Sequence, residues 1–213
     1  MANRKNNAPK DAVRDKRMAI IDAALTVIHN KGIMNATVDD IAQRAGVAKG
    51  TVYLYFKTKE DILVEMVVEK SGETLAAVSE AASGVSGTWE KLRAAMRIHF
   101  AKIIEHMPNV LIDEGMLHLT AAQQKILLSA KFSHVKFYEE IIAEHCTKTG
   151  REPPFSPLAS ALALTSGLIG YVFQRHHFKD AAVDPEEYLR TYEAIVRAAL
   201  IGGETKSEKS KRK

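Results

Sequence analysis

The stretch Thr37–Asp61, TVDDIAQRAGVAKGTVYLYFKTKED, leaves few folds open to this chain. Thr37 stands three residues ahead of Asp40, the spacing of a capping box, in which hydroxyl and carboxylate each satisfy a free N–H at a helix start. Val38, Ile41, Ala42 and Ala45 then share one helical face. Gly46 follows where that helix must stop and the backbone needs a left-handed residue. Val47 can pack back into the angle between this helix and the next. The next helix is short, from about Lys49 to Phe56, and carries Val52 and Phe56 inward at i and i+4. Lys49, Thr51, Tyr53 and Tyr55 are left for its other faces, and Thr58-x-x-Asp61 caps a third helix. A helix, a glycine turn and a second helix with polar and aromatic side chains outward is the helix-turn-helix pattern of major-groove reading.

At these residues the chain resembles the DNA-binding end of the TetR family of bacterial transcriptional regulators. The likeness is carried by Gly32, Ala36-Thr37-Val38, Ile41-Ala42, Ala45-Gly46-Val47, Lys49-Gly50-Thr51-Val52-Tyr53, Tyr55-Phe56 and Lys59-Glu60-Asp61-Ile62-Leu63, over about Lys16 to Met66. Ala48 departs from it, standing where the family usually has a capping side chain. Its absence weakens the start of the reading helix by roughly 1 kcal/mol and removes one phosphate contact. The resemblance implies that Lys49, Gly50, Thr51, Tyr53 and Tyr55 face the groove and its rims. Physically, Lys49 can reach a guanine edge or a phosphate, Thr51 a base or a thymine methyl, and the tyrosines can offer hydroxyls to phosphates. Thr37 and Lys59 begin helices, where free N–H groups favour a phosphate; Arg44 and Gln43 are further candidates.

Charge is segregated along the chain. Residues 1–59 hold eleven Lys/Arg against five Asp/Glu, a surplus of +6, and the tail from Glu204 has five against two, a surplus of +3. The whole chain carries only +4, so the stretch between is acidic. That is the footprint of a DNA-binding head on a body that does not touch DNA. The single cysteine, Cys146, permits no intrachain disulfide and fits a reducing cytoplasm. A charged N-terminus with no apolar run after it reads as lacking a signal peptide. The run Leu158–Phe173 is short for a membrane span and holds Ser160, Thr165 and Ser166, so no membrane partner is expected.

Helical periodicity continues throughout, with no strand signal and no internal repeat, so the expected class is all-α. Residues 1–13 read as a flexible basic arm, and the first helix runs from about Arg14 to Asn30. A helix from Thr58 to about Ala82 is long enough to begin in the head and end in the body. Leu92, Met96, Phe100 and Ile103 form the next stripe, a short helix is expected over Val110–Leu119, and Thr120-x-x-Gln123 caps a helix with Ile126, Ala130, Phe137 and Ile141 inward. Arg151–Phe155 reads as a proline loop. Ser156-Pro157 and Asp184-Pro185-Glu186-Glu187 start the last two helices. With the resemblance, this gives about nine helices: a three-helix helix-turn-helix domain over residues 14–60, a larger ligand-binding and dimerisation domain over 61–203, and a disordered basic tail over 204–213.

The helix after Pro157 is apolar almost all round, and one way to bury it is against a second copy of the chain. Dimerisation, which the resemblance implies, would use Leu162, Ser166, Gly167, Ile169, Gly170 and Phe173 with Tyr192, Ile195 and Val196 of the final helix, as a four-helix interface. The resemblance also implies a small-molecule effector. Met96, His99, Phe100, Ile103, Leu117, His134, Phe137, Tyr138, Tyr171 and Gln174 could line its site, largely apolar with a few polar anchors. Met116, His118 and Phe173 are further candidates. The expected activity is that of a repressor released by a hydrophobic effector from double-stranded DNA carrying a palindromic operator. Two alternatives stay open. Adjacent His176-His177 and the pair His145-Cys146 raise a metal-responsive regulator, though no His pair at i, i+4 and no HExxH is present. A non-specific architectural DNA binder would explain the basic ends but not the apolar body. No P-loop, GxGxxG, GxSxG or CxxC occurs, and Asp113 and Glu114 near His118 make a weak acid–base set, so neither enzymatic activity nor a cofactor is expected.

Overall fold

A computed structural model describes residues 8–106, 119–149, 156–177 and 183–202. Among them the chain forms α1 (Ala8–Lys31), α2 (Val38–Ala45), α3 (Lys49–Tyr55), α4 (Lys59–Ser83), α5 (Thr88–His106), α6 (Ala121–Thr149), α7 (Pro157–His177) and α8 (Pro185–Arg197). A π-helical turn, Ala198–Gly202, follows α8. No strand occurs among these residues, in keeping with the all-α expectation. The short helix expected at 110–119 lies almost wholly outside the described residues, as do the proline loop, the C-terminal tail and the first seven residues. Helix α1 starts at Ala8, inside the expected arm. Pro9 falls in its first turn, where a missing N–H costs nothing.

The helix starts follow the sequence chemistry closely. Thr37 Oγ1 accepts from Asp40 N–H at 3.1 Å, and the Asp40 carboxylate accepts from Thr37 N–H at 3.2 Å. The same exchange joins Thr58 with Asp61, at 3.1 Å each way, and Thr120 with Gln123, at 2.9 and 3.3 Å. Asp184 accepts from Glu186 and Glu187 N–H ahead of α8, with Pro185 in the first turn. Gly46 ends α2 at φ 68°, and Val47 N–H returns to the Ala42 carbonyl at 3.0 Å. Ala48, by contrast, gives α3 no side-chain cap.

The described residues divide into two compact units, one of residues 8–70 with 119–128, the other of 71–106, 129–149, 156–177 and 183–202. Helix α4 passes from the first to the second between Lys70 and Ser71. Gly72 lies in its interior, where an added Cβ would meet nothing within 4 Å. In the first unit, Ile20, Ile21, Ala24 and Ile28 of α1 bury against Ile41 and Ala42 of α2, Val52, Phe56, and Ile62, Leu63 and Met66 of α4. Each large apolar side chain so buried stabilises by roughly 1.5–3 kcal/mol over exposure.

In the second unit α5, α7 and α8 pack on one another. Leu92, Met96, Phe100 and Ile103 of α5 are buried, as their spacing predicts. Arg97 and Arg93 of α5 both pair with Glu193 of α8, at 2.6 and 3.4 Å, and Glu193 is buried. Helix α6 differs from the expected register: Ile126 is exposed, and the buried stripe is Leu127, His134, Tyr138 and Ile141, with Val135 and Ile142 beside it. Two of its members are His and Tyr, which hydropathy alone does not mark as core. Helix α7 also corrects the sequence reading: Pro157–Arg175 is long and apolar enough, by length and composition, to cross a membrane. Here its Ala161, Leu164, Leu168, Tyr171 and Val172 are buried in a protein core, and a core helix can be this apolar.

The expected mid-helix approach at Gly167 is made within the chain. Tyr192 of α8 lies where a Gly167 Cβ would stand, 2.3 Å from it, and its hydroxyl donates to the Ala163 and Leu164 carbonyls at 3.0 and 2.9 Å. Tyr188 donates to the Gly167 carbonyl at 2.7 Å. Gly167→Ala should therefore destabilise the fold by about 1–3 kcal/mol through overpacking, read as a lower denaturation midpoint, whereas Gly170→Ala, with open space at its Cβ, should not. Ala48→Ser should do the opposite, raising stability by about 1 kcal/mol through the missing cap; an unchanged midpoint would show that α3 does not need one.

Candidate nucleic-acid interface

Helix α3 has one buried residue among seven, Val52 at 0% exposure. At roughly 100° per residue, Gly50 and Leu54 point most directly away from it. Thr51 and Tyr53 flank these two, and Lys49 and Tyr55 border the buried face. On the C-terminal side of Val52 exposure follows that order: Leu54 is 83% exposed, Tyr53 48%, Tyr55 half-buried against the core; on the N-terminal side Lys49 and Gly50 are exposed and Thr51 is half-buried. The sequence reading named the outer residues Gly50, Thr51 and Tyr53 with the lateral Lys49 and Tyr55, and did not name the exposed Leu54. Helical arithmetic from Val52 finds it.

The far end of α3 is held from three sides. Arg17 of α1 pairs through two nitrogens with the Glu65 carboxylate of α4. Its guanidinium lies 4.8 Å over the Phe56 ring and donates to the Tyr55 carbonyl at 3.5 Å. Among the other candidates, Lys49 Nζ pairs with Asp39 at 2.7 Å, which raises its pKa, chiefly through the hydrogen bond. Arg44 is exposed in the last turn of α2. Thr37 is exposed but its hydroxyl is engaged with Asp40, whose carboxyl is lowered by Lys31 and by Thr37. Lys59 is turned inward: Nζ donates to the Ile33 and Ala36 carbonyls at 3.0 and 3.2 Å, so its ammonium fastens the loop before α2, leaving its helix-start N–H as the group for a phosphate.

In the second unit the expected effector lining separates into two clusters that share α5. His99 stacks on His134, ring centroids 4.6 Å apart, and its Nδ1 lies 3.3 Å from the Tyr138 hydroxyl. Phe137 meets Tyr138 edge-on. Ser71 Oγ of α4 lies 2.8 Å from His134 Nε2. His134 Nδ1 is buried and makes no hydrogen bond among the described residues. Burial, then the neighbouring His134, pushes His99 down to about 3, and burial lowers His134 too, against the Ser71 hydrogen bond. Both rings are thus neutral near pH 7. In the second cluster Phe100 meets Tyr171 at a tilt, ring centroids 5.1 Å apart, and Tyr171 meets Tyr188 likewise at 4.8 Å. Met96 and Ile103 are buried on α5 and Gln174 is partly buried on α7; Met116, Leu117 and His118 lie outside the described residues.

Residues 20–66 match the family model described as bacterial regulatory proteins, tetR family. That segment, under a quarter of the chain, is similar to the DNA-binding end of the TetR family. The chain is 44% identical over 88 residues to the fatty acid metabolism regulator protein of Bacillus subtilis, a stretch covering 41% of this chain and 45% of that one, so under half of that relative is matched. It is 28% identical over 175 residues to the HTH-type transcriptional regulator SrpR of Pseudomonas putida, covering 78% of each. In fold it is similar to the transcriptional regulator FadR of Bacillus subtilis in complex with stearoyl-CoA, with TM-score 0.69 and 23% identity, over 87% of this chain and 98% of that one. It is similar also to the TetR family transcriptional regulator PfmR of Thermus thermophilus, with TM-score 0.66 and 24% identity, over 87% and 99%.

The chain exposes apolar side chains on its last two helices: Leu162, Ile169 and Phe173 on α7 and Ile195 on α8, with Ser166 and Gly170 also exposed on α7. Three residues expected on a pairing face are used within the subunit instead: Val196 is buried, and Gly167 and Tyr192 fit each other. Among the described residues no three His, Cys, Asp or Glu side chains group to hold a metal; His106, His118, His176 and His177 fall outside the described side chains.

The buried histidines give the fold an acid sensitivity. His99 binds a proton near pH 6.5 when unfolded but only near 3 when folded, so the unfolded state takes up protons first as pH falls between these values. Stability should decline through that window by at most ~1.4 kcal/mol per pH unit for this group. His99→Gln should flatten the decline, as measured by denaturation midpoints from pH 7.5 to 5. An unchanged pH slope in the variant would contradict the burial of a neutral ring.

Proposed function

We propose that this protein is a TetR-family, sequence-specific DNA-binding repressor that a small, largely apolar effector releases from a palindromic operator. The observation that carries the reading is α3, held by a buried inner face and the Arg17 clamp, with Gly50, Tyr53 and Leu54 exposed on its outer side. In this reading residues 14–60 are the DNA-binding head and 61–203 bind the effector and pair with a second copy. Gly50, Thr51 and Tyr53 enter the groove, Lys49 and Tyr55 meet its rims, and Thr37, Arg44 and Lys59 approach the backbone. The exposed α7–α8 face supports pairing, because four large apolar side chains on neighbouring helices gain by covering one another. The protein acts in the cytoplasm as a homodimer.

The histidine cluster supports an effector site that is polar but uncharged. A buried nitrogen without a partner costs about 1–3 kcal/mol, and a ligand carbonyl or hydroxyl at His134 Nδ1 would recover it. Ser71, which bonds His134, belongs to α4, whose first residue Lys59 fastens the loop before α2. Movement of α4 on binding would disfavour the spacing of about 34–36 Å that two reading helices need on successive turns of DNA. The FadR structure with stearoyl-CoA makes a long-chain acyl thioester the first effector to try.

Footprinting on the DNA flanking the protein's own gene, with competitor at fixed salt, tests the reading. Two protected half-sites about one turn apart are expected, and an acyl thioester should release them. Equal loss to any competitor, with a steep salt slope and no footprint, would leave only phosphate attraction. Tyr53→Ala and Lys49→Ala should each weaken binding by about 1–3 kcal/mol. Asp39→Asn should tighten it, since the Asp39–Lys49 pair competes with the DNA for the ammonium; weaker binding by Asp39→Asn would place Lys49 away from the duplex.

A further inference from the structure

The outermost strip of α3 is apolar. Gly50 and Leu54, four residues apart, lie on the side opposite Val52, and at 83% Leu54 is the most exposed large apolar side chain among the described residues. Nothing stands within 4 Å of a Cβ built at Gly50, so nothing of this chain separates the helix backbone from what it faces. Thr51 and Tyr53, on either side of the strip, can form hydrogen bonds; Leu54 between them cannot. An isolated exposed leucine is ordinary on a surface. This one sits at the crest of a seven-residue helix whose inner side is committed to the core and whose surroundings carry the exposed cations Arg44, Lys49 and Lys57. A strip of that shape and charge setting fits the floor of a major groove, where the one apolar group presented by base pairs is the C5-methyl of thymine.

We propose that Leu54 reads a thymine methyl group, so that each half-site contains an A·T pair recognised by van der Waals contact and not by a hydrogen bond; this rests on the DNA-binding reading above. Gly50 contributes by lacking a side chain, which lets the helix approach until the isobutyl group touches the methyl. The specificity of the helix is then divided: Thr51 and Tyr53 supply polar contacts at the sides, and Leu54 supplies an apolar one at the centre. A cytosine at that position would lack the methyl and present an amino group to a side chain that cannot accept from it.

The test uses the full chain and duplexes selected by it from a random pool. In the selected site each thymine is replaced singly by deoxyuridine, which removes the methyl and leaves the pairing unchanged. One thymine per half-site should lose about three- to tenfold in affinity on replacement, and 5-methylcytosine paired with guanine should bind there more tightly than cytosine does. Leu54→Ala should bind the thymine and uracil sites equally while keeping the wild-type response to changes elsewhere. Because Leu54 is exposed and Ala favours helix, the variant should melt like the wild type. Methyl dependence at no position, or dependence that persists in Leu54→Ala, overturns the assignment of Leu54 alone, the second outcome giving the methyl to another side chain. If selection enriches no sequence, the regulator reading fails and this proposal with it.

Discussion

Helix α3 cannot stand by itself. Seven residues are too few to hold a helix in water, and Ala48 offers its start no cap. What keeps α3 in place is the Arg17 guanidinium, which bonds the Glu65 carboxylate, lies over the Phe56 ring and reaches the Tyr55 carbonyl at the helix end. A single cation from α1 thereby ties the end of α3 to the start of α4, and Val52 and Phe56 anchor the inner face in the same core. A planar fork suits this task, since it can bond a carboxylate edge-on while its face covers a ring. The exposed Gly50, Tyr53 and Leu54 take no part in these contacts.

A comparable division runs through α8. One side is fixed to α5 by Glu193 between Arg93 and Arg97, and to α7 by the Tyr188 and Tyr192 hydroxyls. Another side carries Ile195 into solvent. A surface fixed in this way before a second copy arrives has little conformational freedom left to lose on pairing, which favours association. The histidine cluster follows another logic. Its rings are stacked and neutral, so it offers polarity without charge.

What was legible in the sequence was chiefly local. The boxes at Thr37, Thr58 and Thr120, the cap at Asp184 and the turn at Gly46 join groups two to five residues apart, and residue types alone specify them. The gap at Ala48 was legible for the same reason. Contacts between distant segments were not. Nothing near Lys59 says that its ammonium turns back to Ile33 and Ala36, and nothing near Gly167 says that Tyr192 fills its place. The register of α6 was misread because His134 and Tyr138 complete its buried stripe. Leu54 was not named, although its angle from Val52 points it outward.

Gly72 belongs to α4, one of two helices, with α6, that run through both units. Its backbone is the least restrained of any residue type, and a helix interior loses about 1 kcal/mol there relative to alanine. Because an alanine methyl would touch nothing, no packing demand accounts for this softness. A rod with one compliant joint transmits less of a push than a uniform rod does. The stiffness of α4 is therefore a property that one methyl group can tune, at a position that neither reads a base nor lines the histidine cluster.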